Sequence, residues 1–306
     1  MTGEPQMSTH IVSAMGDLPR GAVISIGIFD GVHVGHQTLL TEQQHIATDA
    51  RVPSAIVTFF PPARTVFTGA KYLTNEHEKV AALQAFNPAA IAVVPFTTEY
   101  TETPKEEFIA ELKSIAPAAI IVGPDFRFGN QRAGGLNDLR TVCRDLVVQP
   151  LVKTGGEVIS STAIREALEV GDIRTANGYL GRAYSATGTV VEGERRGRTI
   201  GFPTANFAIP EGKALPLGVL VVRSVIDGNT VYGIANVGPR PTFPDGAPSL
   251  EVFYFDFAGD LYGAELTVEF LHFIRAQQRF TGLEGLTAQL EQDRLAAKPV
   301  ITEQYA

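Results

Sequence analysis

The chain changes its patterning near residue 180, and that change bounds what its 306 residues can fold into. Before it, short apolar runs at 22–26, 54–59, 90–94, 119–122 and 146–151 alternate with stretches of helical periodicity. Runs this short, set between amphipathic helices, predict parallel strands with right-handed crossovers, so that helices cover both faces of one sheet. Asn75 with Glu78, and Thr103-Pro104 with Glu106, predict helix starts with a reciprocal acid. After the change, β-rich runs at 186–191, 219–226, 231–234, 250–256 and 265–273 are separated by Gly, Pro, Asn and Asp. That spacing predicts an antiparallel barrel or sandwich. Asp227-Gly228-Asn229 predicts a hairpin turn. Thr281 with Glu284 predicts a capped final helix through Leu283, Leu286 and Leu290. The length suits two domains, 1–180 and 181–306, joined between Asn177 and Arg182.

Charge and cysteine usage exclude several function classes. The formal net charge of −8 gives no field that would attract nucleic acid or an anionic membrane, and no dense Lys/Arg stripe offsets it. Arg195, Arg196 and Arg198 form a small, glycine-bounded cluster that reads as a phosphate loop or a solvated turn. Cys143 is the single cysteine, which rules out an intrachain disulfide and points to a reducing compartment. No secretion signal pattern opens the chain, and no apolar run approaches the ~20 residues that span a bilayer. The expectation is a soluble, cytoplasmic protein; the sequence does not specify an oligomeric state.

Two segments carry chemistry. The first is Gly27-Ile28-Phe29-Asp30-Gly31-Val32-His33-Val34-Gly35-His36, placed after a buried apolar run and before a helix predicted over 37–50. Backbone N–H groups at a helix start attract anions, and glycines let the chain approach them closely. Imidazoles there can donate hydrogen bonds to charge that develops on phosphorus during a displacement. Two structural histidines beside a turn are the plainer alternative. The second segment runs from Gly193 through Gly197 and Gly201 to Phe202-Pro203-Thr204-Ala205-Asn206. Glycines four apart make a pliable loop able to fold over a polyphosphate. Thr204 and Asn206, two apart on an extended chain, share one face and offer hard oxygens suited to Mg²⁺. The same residues also suit an ordinary Gly/Arg turn leading into a strand end. Glu251, at the start of an alternating strand, is a candidate base, or an edge charge that keeps the sheet soluble.

Taken in order along the chain, these motifs resemble the prokaryotic bifunctional riboflavin kinase/FMN adenylyltransferase family, also called FAD synthetase. The matching residues begin with the histidine segment, Gly123-Pro124-Asp125-Phe126-Arg127-Phe128-Gly129 and Ile159-Ser160-Ser161-Thr162-Ala163-Ile164-Arg165. They continue with Leu180-Gly181-Arg182, the glycine segment, Asn236-Val237-Gly238-Pro239-Arg240-Pro241-Thr242-Phe243, Glu251, Asp256-Phe257-Ala258-Gly259-Asp260-Leu261-Tyr262-Gly263, Arg275 and Phe280. The resemblance implies an α/β Rossmann-like nucleotidyltransferase domain followed by a small antiparallel β-barrel kinase domain with a C-terminal helix. It implies two Mg²⁺- and ATP-dependent reactions: riboflavin to FMN in the second domain, then FMN to FAD with release of pyrophosphate in the first.

Residue roles come with the resemblance. His33 and His36 would stabilise the α-phosphorus, within a phosphate-binding set of Gly27, Phe29, Asp30, Gly31, Gly35, Ser161, Thr162 and Arg165. Asp125, Phe126 and Phe128, with Arg275 and Phe280 in the second half, would shape flavin pockets. Gly193, Gly197, Arg198, Gly201 and Thr204 would bind ATP phosphates, Thr204 and Asn206 would hold Mg²⁺, and Glu251 would accept the proton of the ribityl hydroxyl. Three departures stand out: Pro61-Pro62-Ala63 replaces a usual Pro-His-Pro, Gln277 a usual glutamate, and Leu220 a common tyrosine. The missing histidine opens an alternative, a riboflavin kinase whose first domain is weakened or only binds. A non-catalytic flavin sensor has no use for a proton acceptor and a metal clamp, and a cytidylyltransferase of the same superfamily explains only the first half.

Overall fold

The computed structural model describes residues 9–193, 202–238, 248–278, 280 and 282–304. Its contacts divide into two compact units, Met1–Ser161 and Thr162–Ala306.

The first unit is Rossmann-like. In chain order it runs β1 (His10–Val12), β2 (Val23–Ile26), α1 (Val34–Ala50), β3 (Ser54–Phe60), α2 (Ala63–Thr68), α3 (Glu76–Gln84), β4 (Ala90–Pro95), α4 (Lys105–Ile115), β5 (Ala119–Val122), α5 (Leu136–Leu139) and β6 (Asp145–Val148), then a small hairpin of β7 (Lys153–Thr154) and β8 (Glu157–Val158). The sheet order is β1-β4-β3-β2-β5-β6, and every neighbouring pair is parallel. Alternate residues of the apolar strands feed two cores, one on each face. Val23, Ile56, Ile91 and Ile121 pack with Leu39, Leu40 and Leu83. Ile24, Val57, Ala92 and Ile120 pack with Phe108, Leu112 and Ile115. After β2 the chain builds outward through β3 and β4, then returns to place β5 on the other side of β2. The carboxyl end of β2 is therefore the switch point at which open α/β sheets bind their ligands.

The second unit begins with the remainder of α6 (Ser161–Glu169) and α7 (Ile173–Leu180). It continues with β9 (Tyr184–Val191), β10 (Ala205–Ala208), β11 (Gly218–Ile226), β12 (Asn229–Gly238), β13 (Ser249–Tyr254), β14 (Glu265–Arg275) and α8 (Leu283–Gln304). The six strands form a closed barrel in the order β10-β13-β12-β11-β14-β9. Pairing of β9 with β10 closes it, which leaves no exposed ladder edge. Inward residues such as Phe207, Leu250, Val252, Tyr254 and Phe270 are buried. Helix α8 covers part of the outer wall, where Ala297 packs with Val221, Ile234 and Leu271. Asn177 ties α7 to the barrel, with Nδ2 donating to the Phe270 carbonyl (2.9 Å) and Oδ1 accepting from Tyr184 N–H (2.7 Å).

Several expectations are met and a few corrected. Asn75 and Glu78 form the reciprocal cap of α3, and Asp227-Gly228 is a two-residue turn with φ of 49° and 79°. Helix α4 instead has Pro104 as its N-cap, with no side-chain hydrogen bond. The fixed φ of proline suits a helix start without help from Thr103. Helix α1 begins at Val34 rather than at 37, which puts His36 in its first turn. Strands β1 and β10, of three and four residues, carried too little pattern to be read, and β6 stops at Val148 rather than 151. Thr281 lies outside the described residues.

Candidate active sites

In the first unit the segment after β2 is held by a dense set of bonds. Phe29 and Val32 have φ of 48° and 41°, a costly conformation for any residue with a β-carbon and most of all for valine. Surrounding contacts fix it. Asp30 is buried, and its Oδ1 accepts from the Leu73 and Thr74 N–H groups (2.8 and 3.2 Å). Gly31 N–H donates to Thr74 Oγ1 (3.1 Å), Ser161 Oγ donates to the Asp30 carbonyl (2.8 Å), and Gln37 Nε2 donates to the Val32 carbonyl (2.9 Å). The Ile28 carbonyl accepts from Thr58 Oγ1 (3.0 Å) and from Lys79 Nζ (2.9 Å).

This frame stacks the two imidazoles. His33 is the N-cap of α1, its Nδ1 accepting from His36 N–H at 3.4 Å. The rings lie 3.6 Å apart at 17°, and buried Phe29 stands edge-on to His36 at 5.2 Å. Gly35 permits the stack, because a β-carbon there would lie 3.2 Å from the His33 ring. His36 is half-buried as a residue, but its Nδ1 is enclosed and has no hydrogen-bond partner among the described residues. Burial first, then the neighbouring His33 and Lys79, hold the His36 pKa well below its ordinary value. The His36 ring is therefore neutral at neutral pH, able to offer one N–H donor without the cost of a buried charge.

The other first-half residues named from the sequence separate by position. Phe128 is a core side chain, stacked on Phe108 with centroids 4.6 Å apart, while Phe126 is half-buried beside it and Asp125 is exposed. Gly27 lies close against the Phe29 ring. Ser161 opens α6; one turn on, Arg165 Nη2 donates to Thr162 Oγ1 at 3.4 Å.

In the second unit the site residues meet across strands. Glu251 of β13 pairs with Asn206 of β10 on one side and with Asn236 of β12 on the other. Residues opposite one another in a ladder project to one face. Leu250 and Val252 fill the interior, so Asn206, Glu251 and Asn236 form a polar row on the outer wall. Gln277 extends the row, its Nε2 donating to Asn236 Oδ1 at 2.9 Å. A β-carbon at Gly193 would sit 2.2 Å from Asn206 Nδ2, so the bare backbone there makes room for the amide. Thr204 immediately precedes β10, so a hydroxyl and an amide oxygen stand two residues apart beside Glu251. Hard oxygens next to a carboxylate suit Mg²⁺. Gly197, Arg198 and Gly201 lie outside the described residues.

Arg275 ends β14 and is gripped by buried Asp293 of α8 through two bonds of 2.8 and 2.7 Å. Gln289 Nε2 also donates to Asp293 Oδ1 (3.0 Å), and the guanidinium stands 5.9 Å from the Phe280 ring centre. Lys79, Asn236 and Asp293 were not singled out as site residues from the sequence. Asn236 opened one of the family-like motifs without being given a role, whereas Lys79 and Asp293 are recognisable only by partners distant along the chain.

Comparison with known proteins assigns each half to a family. Residues 16–163 match the family model described as FAD synthetase, and residues 180–301 match that described as riboflavin kinase. The chain is 35% identical over 281 residues to the bifunctional riboflavin kinase/FMN adenylyltransferase of Listeria monocytogenes, covering 89% of this chain and 90% of that one. It is 36% identical over 291 residues to the protein of the same name from Pseudomonas fluorescens, with 91% and 93% covered. For that of Escherichia coli K12 the figures are 35% over 289 residues, with 91% and 92% covered. A crystal structure described as a macrolide-efflux protein from Streptococcus pneumoniae superposes with a TM-score of 0.84 at 28% identity, covering 97% of this chain and 99% of that one. No helix among the described residues is long and apolar enough to cross a membrane. The chain belongs to the bifunctional riboflavin kinase/FMN adenylyltransferase family and carries both of its domains.

Proposed function

We propose that the chain converts riboflavin to FAD in two ATP-dependent steps, with residues 181–306 serving as the kinase and residues 1–180 as the adenylyltransferase. In the first step the ribityl hydroxyl attacks the γ-phosphorus of ATP, Glu251 accepts the hydroxyl proton, and ADP leaves with the bridging oxygen. Asn206 and Asn236 stand directly opposite Glu251 on the two neighbouring strands, from where their amides would orient its carboxylate. In the second step a phosphate oxygen of FMN attacks the α-phosphorus of a second ATP, and pyrophosphate leaves. The nucleophile is already an anion, so no base or covalent enzyme intermediate is required. His33 and His36 donate N–H groups to the crowded phosphorus oxygens, and the amides at the start of α1 add to that field.

Glycines 27, 31 and 35 give the phosphates close access, with Phe29 and Asp30 shaping the turn. Ser161, Thr162 and Arg165 at the start of α6 supply further phosphate donors, the last as a planar fork. Asp125 and Phe126 line the flavin side of the first site, with Phe128 supporting them from the core; Arg275 and Phe280 line that of the second. Gly193, together with Gly197, Arg198 and Gly201 outside the described residues, would bind the phosphates of the kinase nucleotide. Thr204 and Asn206 would hold Mg²⁺, which when bound offsets phosphate charge. The cytoplasm, where ATP is supplied and Cys143 stays reduced, is the compartment we assign.

One observation carries this reading: each half has its own polar centre, the stacked imidazoles at the sheet's switch point and the Asn206–Glu251–Asn236 row on the barrel wall. One incubation with riboflavin and ATP tests it, Mg²⁺ being supplied in one arm and chelated in the other. FMN rises first and FAD follows in the supplied arm, and neither forms in the chelated one. FMN without FAD would point to a kinase with a binding-only first domain, and product in the chelated arm would remove the metal from the scheme.

A further inference from the structure

A buried cation of the first unit remains unused in that scheme. Lys79 lies within α3 with no solvent exposure, at a position where leucine would pack against the sheet without the cost of burying a charge. Its Nζ donates to the Ile28 carbonyl at 2.9 Å and to the Phe59 carbonyl at 2.8 Å, and it stands 5.4 Å from the Phe60 ring centre. Lys79 forms no ion pair among the described residues. The two carbonyls lie at telling places. Ile28 begins the histidine loop after β2, and Phe59 is near the carboxyl end of β3, its neighbour in the sheet. The ammonium therefore bridges the carboxyl ends of two central strands directly behind the loop.

A neutral donor could bond two carbonyls as well. What lysine adds is charge, and the groups facing it show where that charge acts: Asp30 on the loop, Glu76 on its own helix and His36 at the start of α1. Asp30 and Glu76 favour the ammonium, burial opposes it, and the balance brings the Lys79 pKa down to about 8. The same positive charge disfavours a proton on His36.

We propose that Lys79 is a positioning residue for adenylyl transfer, its ammonium pinning the histidine loop to the end of β3 beside His36. The inference rests on the reading of that loop as the adenylyltransferase centre. The full-length protein is assayed for FAD from FMN, and for FMN from riboflavin, as Lys79→Met, Lys79→Arg and His33→Ala. Displacing a catalytic group by about 1 Å can cost on the order of a hundredfold. Lys79→Met is therefore expected to lower kcat for FAD formation about a hundredfold, with KM for ATP changed less and FMN formation untouched.

Lys79→Arg should restore most of the rate. NMR of the His36 imidazole should show its titration moving upward in Lys79→Met and staying in place in Lys79→Arg, a contrast that separates lost charge from lost burial. Wild-type FAD rates in Lys79→Met beside an inactive His33→Ala overturn this proposal alone, as does an unmoved His36 titration. Full activity in His33→Ala overturns the reading beneath it. Should Lys79→Met not fold, Lys79→Arg decides: the loss of FAD synthesis expected above about pH 8 in the wild type must shift upward, and a limb that stays in place sinks the idea.

Discussion

The two polar centres are assembled in opposite ways. In the first unit, both imidazoles and the turn that presents them come from ten consecutive residues at the end of one strand, and distant groups serve as braces. In the barrel, the carboxylate and its two amides come from three strands, and they meet only because β10, β13 and β12 pair in register. A site of the first kind is specified locally and stabilised globally. A site of the second kind does not exist until the fold does.

Substitutions can sharpen that contrast. The largest effect is expected from Glu251→Ala, which should reduce FMN formation about 10³-fold by removing the proton acceptor, while FAD is still made from supplied FMN. Loss of both activities in a folded variant would break the separation of the two centres. The mirror change, His33→Ala, should lower FAD formation about 10²-fold or more, the scale seen when one donor to a developing charge is lost. It should leave FMN formation unchanged, and rapid quench with labelled ATP would resolve the two products. The smallest effect falls on a brace rather than on a centre. Asn75→Ala removes the side-chain half of the α3 cap, the Oδ1 that accepts from Glu78 N–H, and should cost about 1 kcal/mol. Thermal unfolding should then shift the first unit's transition by only ~2–4 °C, with barrel unfolding and kinase turnover unaffected.

What could be read from the sequence follows the same division. The histidine loop, the Asn75 cap and the Asp227-Gly228 turn are encoded within a few residues, and all were legible. The parallel sheet was legible too, because strands buried on both faces leave continuous apolar runs at β4 and β5. Strand β10 was not, since four residues after Pro203 show no alternation long enough to see. Lys79 was missed because its acceptors lie 51 and 20 positions away. Asp293 was missed because one acid on an amphipathic helix looks solvated until Arg275, 18 residues earlier, is found against it. Phe128 carried a pattern that could not separate a pocket wall from a core residue, and it packs in the core. Gln277 looked like the loss of a functional charge; its amide bonds to Asn236 and so remains part of the polar row.

The alternation along β13, with Glu251 outward between interior Leu250 and Val252, makes this stretch intolerant of changes in length. Deleting or inserting a single residue upstream within the strand would turn a carboxylate into the barrel lumen and an aliphatic side chain out to the polar row. Changes in length are therefore better accommodated in the connections between strands than within β13.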